Sequence, residues 1–113
     1  MLTIIVPVYN EKKFIRVLLK KLIKIIKIKK QIIIIDDGSS DGTTEILKKE
    51  FVNNKSISKI IFHKKNTGKG SAIRSAQRFI KGDFVVIQDA DLEYNPKDII
   101  KIYNFIKKNQ ADV

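Results

Sequence analysis

Apolar and polar positions along the chain follow two periods in alternation. "LTIIVPV", residues 2–8, is apolar and β-branched, which predicts a strand ending around Pro7, where proline offers no N–H to a ladder. Over residues 11–28 the spacing changes. Ile15, Leu18, Leu19, Leu22, Ile25 and Ile26 follow the i, i+3, i+4, i+7 stripe of an amphipathic helix, and Lys13, Arg16, Lys20, Lys24 and Lys27 fall mostly off it. "QIIIID", residues 31–36, is apolar at successive positions, as a parallel strand covered on both faces requires. "DGSSDGT" predicts a turn, after which Ser40 or Asp41 caps a helix over about 43–52 with Glu45 in its first turn.

The alternation continues. Residues 57–63 read as a third strand, "NTGKG" as a turn, 71–80 as a third helix and 84–88 as a fourth strand, after a break at Gly82 and Asp83. Asn95-Pro96 opens a fourth helix to about Lys108, and the final "QADV" reads as the entry to a further strand. Strand–helix repetition of this kind predicts one α/β domain over 1–113 with a mostly parallel sheet.

Composition narrows the chemistry. The chain has 113 residues, no cysteine and one histidine, His63, which excludes disulfides, thiolate metal sites and any site built on two histidines. No signal peptide is visible, and no apolar run reaches the length of a membrane span, so the expected compartment is the cytoplasm. The formal net charge of +11 points to an anionic partner, although Lys and Ile are both favoured by AT-rich codons, which explains part of the excess differently. The charge is concentrated: from Lys12 to Lys30 there are eight Lys, one Arg and no acid. With its apolar stripe on the sheet, that helix would keep a basic face for peripheral contact with an anionic membrane, at its cytoplasmic side.

In open α/β sheets, ligands bind outside the carboxyl ends of the strands, at the switch in strand order. Polar residues gather at those ends here: Pro7, Tyr9, Asn10 and Glu11; Asp36, Asp37 and Gly38; Asn66, Gly68, Lys69 and Gly70; Asp89 and Asp91. Asp89 and Asp91, two carboxylates one residue apart, suit a hard divalent cation such as Mg²⁺ or Mn²⁺ bridging to a phosphate. Alternate residues of an extended chain point opposite ways, so both face one ion only if the loop bends at Ala90. The plainer alternative is a solvated turn. "NTGKGS" resembles a phosphate loop but is neither Walker A, since Gly70 separates Lys69 from Ser71, nor a dinucleotide fingerprint, since Ile73 replaces the third glycine. A helix start beside Lys69 still favours anions; a plain glycine turn capped by Ser71 is the alternative.

"IIVPVYNE", "IIIIDDGSSDGT", "NTGKGSAIRSA" and "GDFVVIQDADLEYNP", in this order and spacing, resemble the nucleotide-sugar half of the family 2 glycosyltransferases, which have the GT-A, Rossmann-like fold. "DADLEYNP" after "GKGSA" is most similar to the polyprenyl-phosphate (dolichyl-phosphate-like) sugar transferases. The resemblance implies that Pro7, Tyr9 and Glu11 line the nucleobase and ribose pocket, that Asp37 hydrogen-bonds the base, and that Lys69 lies near base or diphosphate. Asp89 and Asp91 would form the DXD motif, with Asp91 on the metal and Asp89 on metal or ribose. Glu93 stands where close relatives often carry Gln.

The implied activity is metal-assisted, inverting transfer from a UDP- or GDP-sugar, with a polyprenyl phosphate as acceptor. The family's domain runs to roughly twice this length, so the chain is expected to be a truncated GT-A domain without its acceptor half, inactive in transfer by itself. Other classes predict otherwise: a basic nucleic-acid-binding module, which would need aromatic stacking positions on a basic face; a non-catalytic nucleotide-sugar-binding or regulatory domain; a receiver domain, which explains neither "VPVYNE" nor "DADLEYNP". No nucleic acid is expected as partner.

Overall fold

The computed structural model describes residues 1–25, 29–90, 101 and 104. Strand β1 (Leu2–Val8) leads to helix α1 (Ile15–Ile25) and strand β2 (Lys30–Asp36). Helix α2 (Thr43–Ile46) widens into a π-helical turn over Leu47–Phe51, closed by the Val52 N–H on the Leu47 carbonyl at 3.1 Å. Strand β3 (Lys59–Phe62), helix α3 (Lys69–Gln77) and strand β4 (Phe84–Ile87) follow. The expected fourth helix, the final strand, and Asp91 and Glu93 lie outside the described residues, apart from Lys101 and Asn104, which are helical.

The four strands pair in the order β3-β2-β1-β4, and every pairing is parallel. Successive side chains of a strand point to opposite faces, which divides the apolar residues into two cores. Leu2, Ile4, Val6 and Val8 join Ile32 and Ile34 beneath α1 and α2, where Ile15, Leu18, Leu19, Leu22, Ile46, Leu47 and Phe51 cover them. Ile5, Ile33 and Ile35 pack on the other face against Ala72 and Ala76 of α3. Burying one such aliphatic side chain stabilises by about 1.5–3 kcal/mol, so the first core dominates the stability.

Helix ends depart from the periodic expectation where backbone N–H groups find other partners. The first helix is regular from Ile15 rather than 11: a turn leads into it, with the Glu11 carbonyl accepting from the Phe14 and Ile15 N–H groups at 3.0 and 2.9 Å, while the Glu11 N–H goes to Thr43 Oγ1 at 3.1 Å and the Lys12 N–H to Asp41 Oδ2 at 3.1 Å. Asp41, rather than Ser40, serves the start of α2, from one residue ahead of the capping Gly42: its Oδ1 accepts from the Thr43 N–H at 3.0 Å. The third helix begins at Lys69, two residues before Ser71, and its capping residue is Gly68. It stops at Gln77 because buried Gln31 captures the chain beyond it. Gln31 Nε2 donates to the Phe79 carbonyl at 2.6 Å, and its Oε1 accepts from the Lys81 N–H at 3.0 Å and Thr3 Oγ1 at 2.9 Å.

Gly38 sits where the loop after β2 meets the loop after β3. Its φ is +73°, and a Cβ there would lie 2.4 Å from the Lys65 carbonyl carbon and 2.5 Å from the Asn66 nitrogen. Gly68 also has a positive φ, +99°, but nothing lies within 4 Å of a Cβ placed there. A residue forced into this region costs about 1–3 kcal/mol from backbone strain, and Gly38 adds a collision with backbone. Gly38→Ala is therefore expected to lower the urea midpoint clearly more than Gly68→Ala. Equal midpoints in the two variants would show that the loops separate freely.

Candidate functional site

Strand order reverses between β1 and β4, so the carboxyl ends of those strands flank the crevice in which open α/β sheets take ligands. Three loops meet there. The loop after β1 turns at Asn10, a non-glycine residue with φ 52°. The Asn10 N–H donates to Ser39 Oγ at 2.9 Å and its Oδ1 accepts from the Ser40 N–H at 2.7 Å, which ties this loop to the one after β2.

The acid pair at the end of β2 is divided by strand parity. Asp36 turns toward α2, accepting from the Ser39 N–H at 3.1 Å and from the Thr44 hydroxyl. Asp37 turns toward α3 and is 4% exposed. Its Oδ1 accepts from His63 Nδ1 at 2.8 Å, the Thr67 N–H at 2.9 Å and Thr67 Oγ1 at 2.9 Å. Its Oδ2 accepts from the Gly68 N–H at 2.8 Å and Asn66 Nδ2 at 3.1 Å. Burial alone pushes this carboxyl up, but the bonds from His63, Thr67 and Gly68 outweigh it and hold it below the usual carboxylate range.

His63 carries the network onward. Its Nε2 lies 2.8 Å from Ser75 Oγ, and Ser75 Oγ in turn donates to the Ser71 carbonyl at 3.1 Å inside α3. The chain Asp37–His63–Ser75 therefore fastens the end of β2 to the second turn of that helix. Sequence reading used His63 only to exclude two-histidine sites. The signal that finds it is register: Asp36 pairs with Phe62, so Asp37 and His63 are in-register neighbours just beyond two adjacent strands.

The six described residues to which the resemblance assigns site roles come together. Pro7, Tyr9, Glu11, Asp37, Lys69 and Asp89 all line one cavity of about 180 Å³, with Asn66 and Ala72 beside them. Tyr9 is half exposed, so its ring is available to a ligand face. Across the mouth, Lys69 Nζ from the start of α3 lies 2.6 Å from Asp89 Oδ1, which follows β4. No side chain caps α3, whose capping residue is Gly68. Asp91, the expected metal ligand, lies outside the described residues. Among the described residues no cluster of three or more His, Asp or Glu encloses a metal position. Asp89 alone is a hard oxygen donor that already attracts a cation, the Lys69 ammonium. That fits an ion held by one or two carboxylates and completed by phosphate and water.

A parallel sheet with polar strand ends around a switch-point cavity defines a Rossmann-like α/β ligand-binding domain. Residues 3–113 match the family model "Glycosyl transferase family 2", and the chain belongs to that family, with the GT-A fold. It is 37% identical over 103 residues to an undecaprenyl-phosphate 4-deoxy-4-formamido-L-arabinose transferase of Edwardsiella ictaluri, covering 88% of this chain and 32% of that protein. It is 35% identical over 115 residues to the dolichyl-phosphate beta-glucosyltransferase of Saccharomyces cerevisiae, covering 95% and 34%. The chain thus spans about a third of the length of these relatives. Among solved structures, S. aureus TarS 1–349 in complex with UDP-GlcNAc superposes with a TM-score of 0.77 at 26% identity, covering 96% of this chain and 32% of that one. The mannosyltransferase PcManGT of Pyrobaculum calidifontis, in complex with GDP-Man and Mn²⁺, gives 0.68 at 29% identity, covering 80% and 27%.

The Asp37 network makes stability depend on pH. The native carboxyl holds its proton less tightly than the same group in the unfolded chain, whose value is about 3.9. Its contribution is complete above that value and is lost as pH falls through the lower native one. Asp41 and Glu50 are held low as well, the first by Thr43 and Lys12 against burial, the second chiefly by Arg16, so the informative quantity is a difference between proteins. Urea unfolding from about pH 5 to pH 2 should show a steeper loss in wild type than in Asp37→Asn. At pH 7 the variant should be less stable by about 1.5–3 kcal/mol, the worth of hydrogen bonds to a buried charge. Parallel pH profiles would remove Asp37 as the acid-sensitive group.

Proposed function

We propose that these 113 residues are the nucleotide-sugar-binding part of a glycosyltransferase that passes a sugar from a UDP- or GDP-sugar to a polyprenyl phosphate, with inversion at the anomeric carbon. The observation that carries this reading is the convergence of Pro7, Tyr9, Glu11, Asp37, Lys69 and Asp89, from four strand ends, on one cavity. The names of relatives that use undecaprenyl and dolichyl phosphates support the acceptor class, and neighbours bound to UDP-GlcNAc and GDP-Man support the donor class.

The cavity, at about 180 Å³, is smaller than the roughly 300–1,000 Å³ of pockets that enclose a drug-sized ligand. It takes the base and ribose between Pro7, Tyr9, Glu11 and Asp37, and leaves the diphosphate at its mouth, beside Lys69, Asp89 and the uncapped start of α3. Asp37 already accepts five hydrogen bonds, so a base N–H reaches it by displacing one. The Thr67 hydroxyl is the donor able to leave, since Ser71 Oγ lies 2.9 Å from it as a second partner. A carboxylate that accepts from a ring N–H selects uracil or guanine over adenine and cytosine, whose corresponding ring nitrogen carries no proton.

In the transfer step an acceptor phosphate oxygen forms the new bond to the anomeric carbon as the bond from that carbon to the diphosphate oxygen breaks. The electron pair leaves on the nucleoside diphosphate, and an acceptor that is already an anion needs little base assistance. A divalent ion held by Asp89 and Asp91 would supply Lewis-acid stabilisation of the leaving charge. Lys69 and the first N–H groups of α3 face the same developing charge.

The basic helix supports a membrane-facing reading of this family member. The one arginine of α1, Arg16, is taken by Glu50 through Nε at 2.9 and 3.0 Å and Nη2 at 2.6 Å. Lys20, Lys21 and Lys24 stay exposed around Val17. Among the described residues no helix is long and apolar enough to cross a membrane. Such a lysine face contributes about 1 kcal/mol per residue near an anionic surface.

Two outcomes test these readings. Calorimetry should show UDP or GDP binding that is stronger with Mn²⁺ or Mg²⁺ than with chelator, and at least about tenfold weaker in Asp37→Ala. ADP binding as tightly as both would sink the base assignment, and metal-independent affinity would sink the metal. Vesicle co-sedimentation should occur with anionic but not neutral lipid and vanish in high salt; no difference between the vesicles would dismiss the membrane face.

A further inference from the structure

The Lys69–Asp89 ion pair stands where the donor site needs something else. Its two members come from opposite walls of the switch-point crevice: Lys69 opens α3, and Asp89 follows β4. Their N···O distance is 2.6 Å, so the ammonium occupies the place at Oδ1 that any other cation would take. A carboxylate oxygen so occupied is closed to a second cation, because like charges at contact distance repel strongly.

The two partners are unequally held. Asp89 is 31% exposed on a short side chain, beside buried Ala90, and its carbonyl accepts from Gln88 Nε2 at 3.2 Å. Lys69 is 56% exposed on a four-carbon stem whose ammonium turns its three donors freely. Lysine is therefore the partner that moves. An exposed pair of this kind is worth at most about fivefold in affinity by itself, about 1 kcal/mol, so its exchange for better partners is easy, and the repulsion of the nearby ammonium on an incoming divalent ion adds to what the pair costs metal binding. A diphosphate at the cavity mouth is such a partner, since it offers several anionic oxygens within the sweep of the same stem.

Resting on the donor-site reading above, we propose that Lys69 is an internal counter-ion that makes metal and nucleotide binding interdependent. Without nucleotide its ammonium guards Asp89 against a divalent ion. When a nucleoside diphosphate enters, Lys69 moves to the phosphate oxygens and releases Asp89 to the ion that the diphosphate brings. When the diphosphate departs, Lys69 returns to Asp89 and the ion loses a ligand. Coupling of this kind is reciprocal: whatever factor the nucleotide adds to metal affinity, the metal adds to nucleotide affinity. Lys69 acts through Asp89 as well as on the ligand, so its removal has opposite effects on the two partners.

The test measures Mn²⁺ binding to the 113-residue chain from the free-ion electron paramagnetic resonance signal, with and without UDP, and with and without GDP. Wild type is compared with Lys69→Gln, Lys69→Arg and Lys64→Gln, the last removing an exposed lysine charge from the nearby loop. Lys69 is mostly exposed, so none of these changes reaches the core. Without nucleotide, Lys69→Gln is expected to bind Mn²⁺ about tenfold more tightly than wild type, a difference of about 1.4 kcal/mol. Lys69→Arg and Lys64→Gln should bind it no more than threefold more tightly. Nucleotide should then raise Mn²⁺ affinity about tenfold less in Lys69→Gln than in wild type, while nucleotide affinity itself falls in that variant. Unchanged or weaker Mn²⁺ binding by Lys69→Gln, with nucleotide binding intact in wild type, overturns the counter-ion and leaves the donor site standing. An equal gain in Lys64→Gln assigns the effect to net charge and overturns it too. Wild type that binds neither Mn²⁺ nor either nucleotide overturns the donor site and the counter-ion together.

Discussion

A buried carboxylate has to be satisfied or it unfolds what surrounds it, and Asp37 is where this chain meets that demand. Water reaches almost none of it. The charge is held by donors from His63, Asn66, Thr67 and Gly68, all on the segment between β3 and α3. That one requirement brings the loop after β2 against the loop after β3, close enough that residue 38 is glycine. It also sets where α3 begins, because Gly68 donates its N–H to Asp37 and its carbonyl accepts from the Ala72 N–H at 3.0 Å. The position of Lys69, and hence of its ion pair with Asp89, follows from a hydrogen-bond set several residues away.

The site accordingly has a rigid side and an exchangeable side. Around the proposed base position the loops are joined by several hydrogen bonds: Asn10 to Ser39 and Ser40 at the surface, and, partly buried, Glu11 to Thr43 and Asp37 to the loop before α3. At the proposed diphosphate position the contacts are an exposed ion pair and an uncapped helix start, which give way easily to a charged ligand. Preorganisation where identity is read, and mobile counter-charge where a polyanion arrives and leaves, suit the donor site proposed above. The Asp37–His63–Ser75 line has the look of a catalytic relay, but Ser75 donates to the carbonyl one turn back in its own helix, and the line serves to brace that helix.

Much of this was legible in the linear chain. The apolar, β-branched run "LTIIVPV" predicts a strand and the unbroken "QIIIID" a strand covered on both faces; β1 and β2 lie within one residue of those bounds, β1 continuing past Pro7 to Val8. The stripe from Ile15 to Leu22 predicts the helix face that covers the first core. Polar residues at four strand ends, read against the rule that such ends gather in a parallel sheet, include Pro7, Tyr9, Glu11, Asp37, Asn66, Lys69 and Asp89 of the cavity lining, while Asn10 and Asp36, named with them, do not line it. What the periodicity misplaced were helix termini. Gln77 is an end because Gln31 captures the chain just beyond it, and the turns that lead into Ile15 and Lys69 are held from outside the helix by Thr43, Asp41 and Asp37.

Side-chain spacing determines which face of an element is apolar, and burial of that face then determines layers and strand direction, so these were available from sequence alone. Partners across loops were not. Asp36 and Asp37 look alike in the chain, yet strand parity sends one to α2 and the other to α3. His63 looks like an isolated residue until β3 pairs with β2 and places it beside Asp37. Lys69 and Asp89 are separated by a helix and a strand, and only the return of β4 to the far edge of β1 brings ammonium and carboxylate to 2.6 Å. Hydrogen bonds and ion pairs are directional and short in reach, so their partners are decided only once the packed sheet has placed the loops.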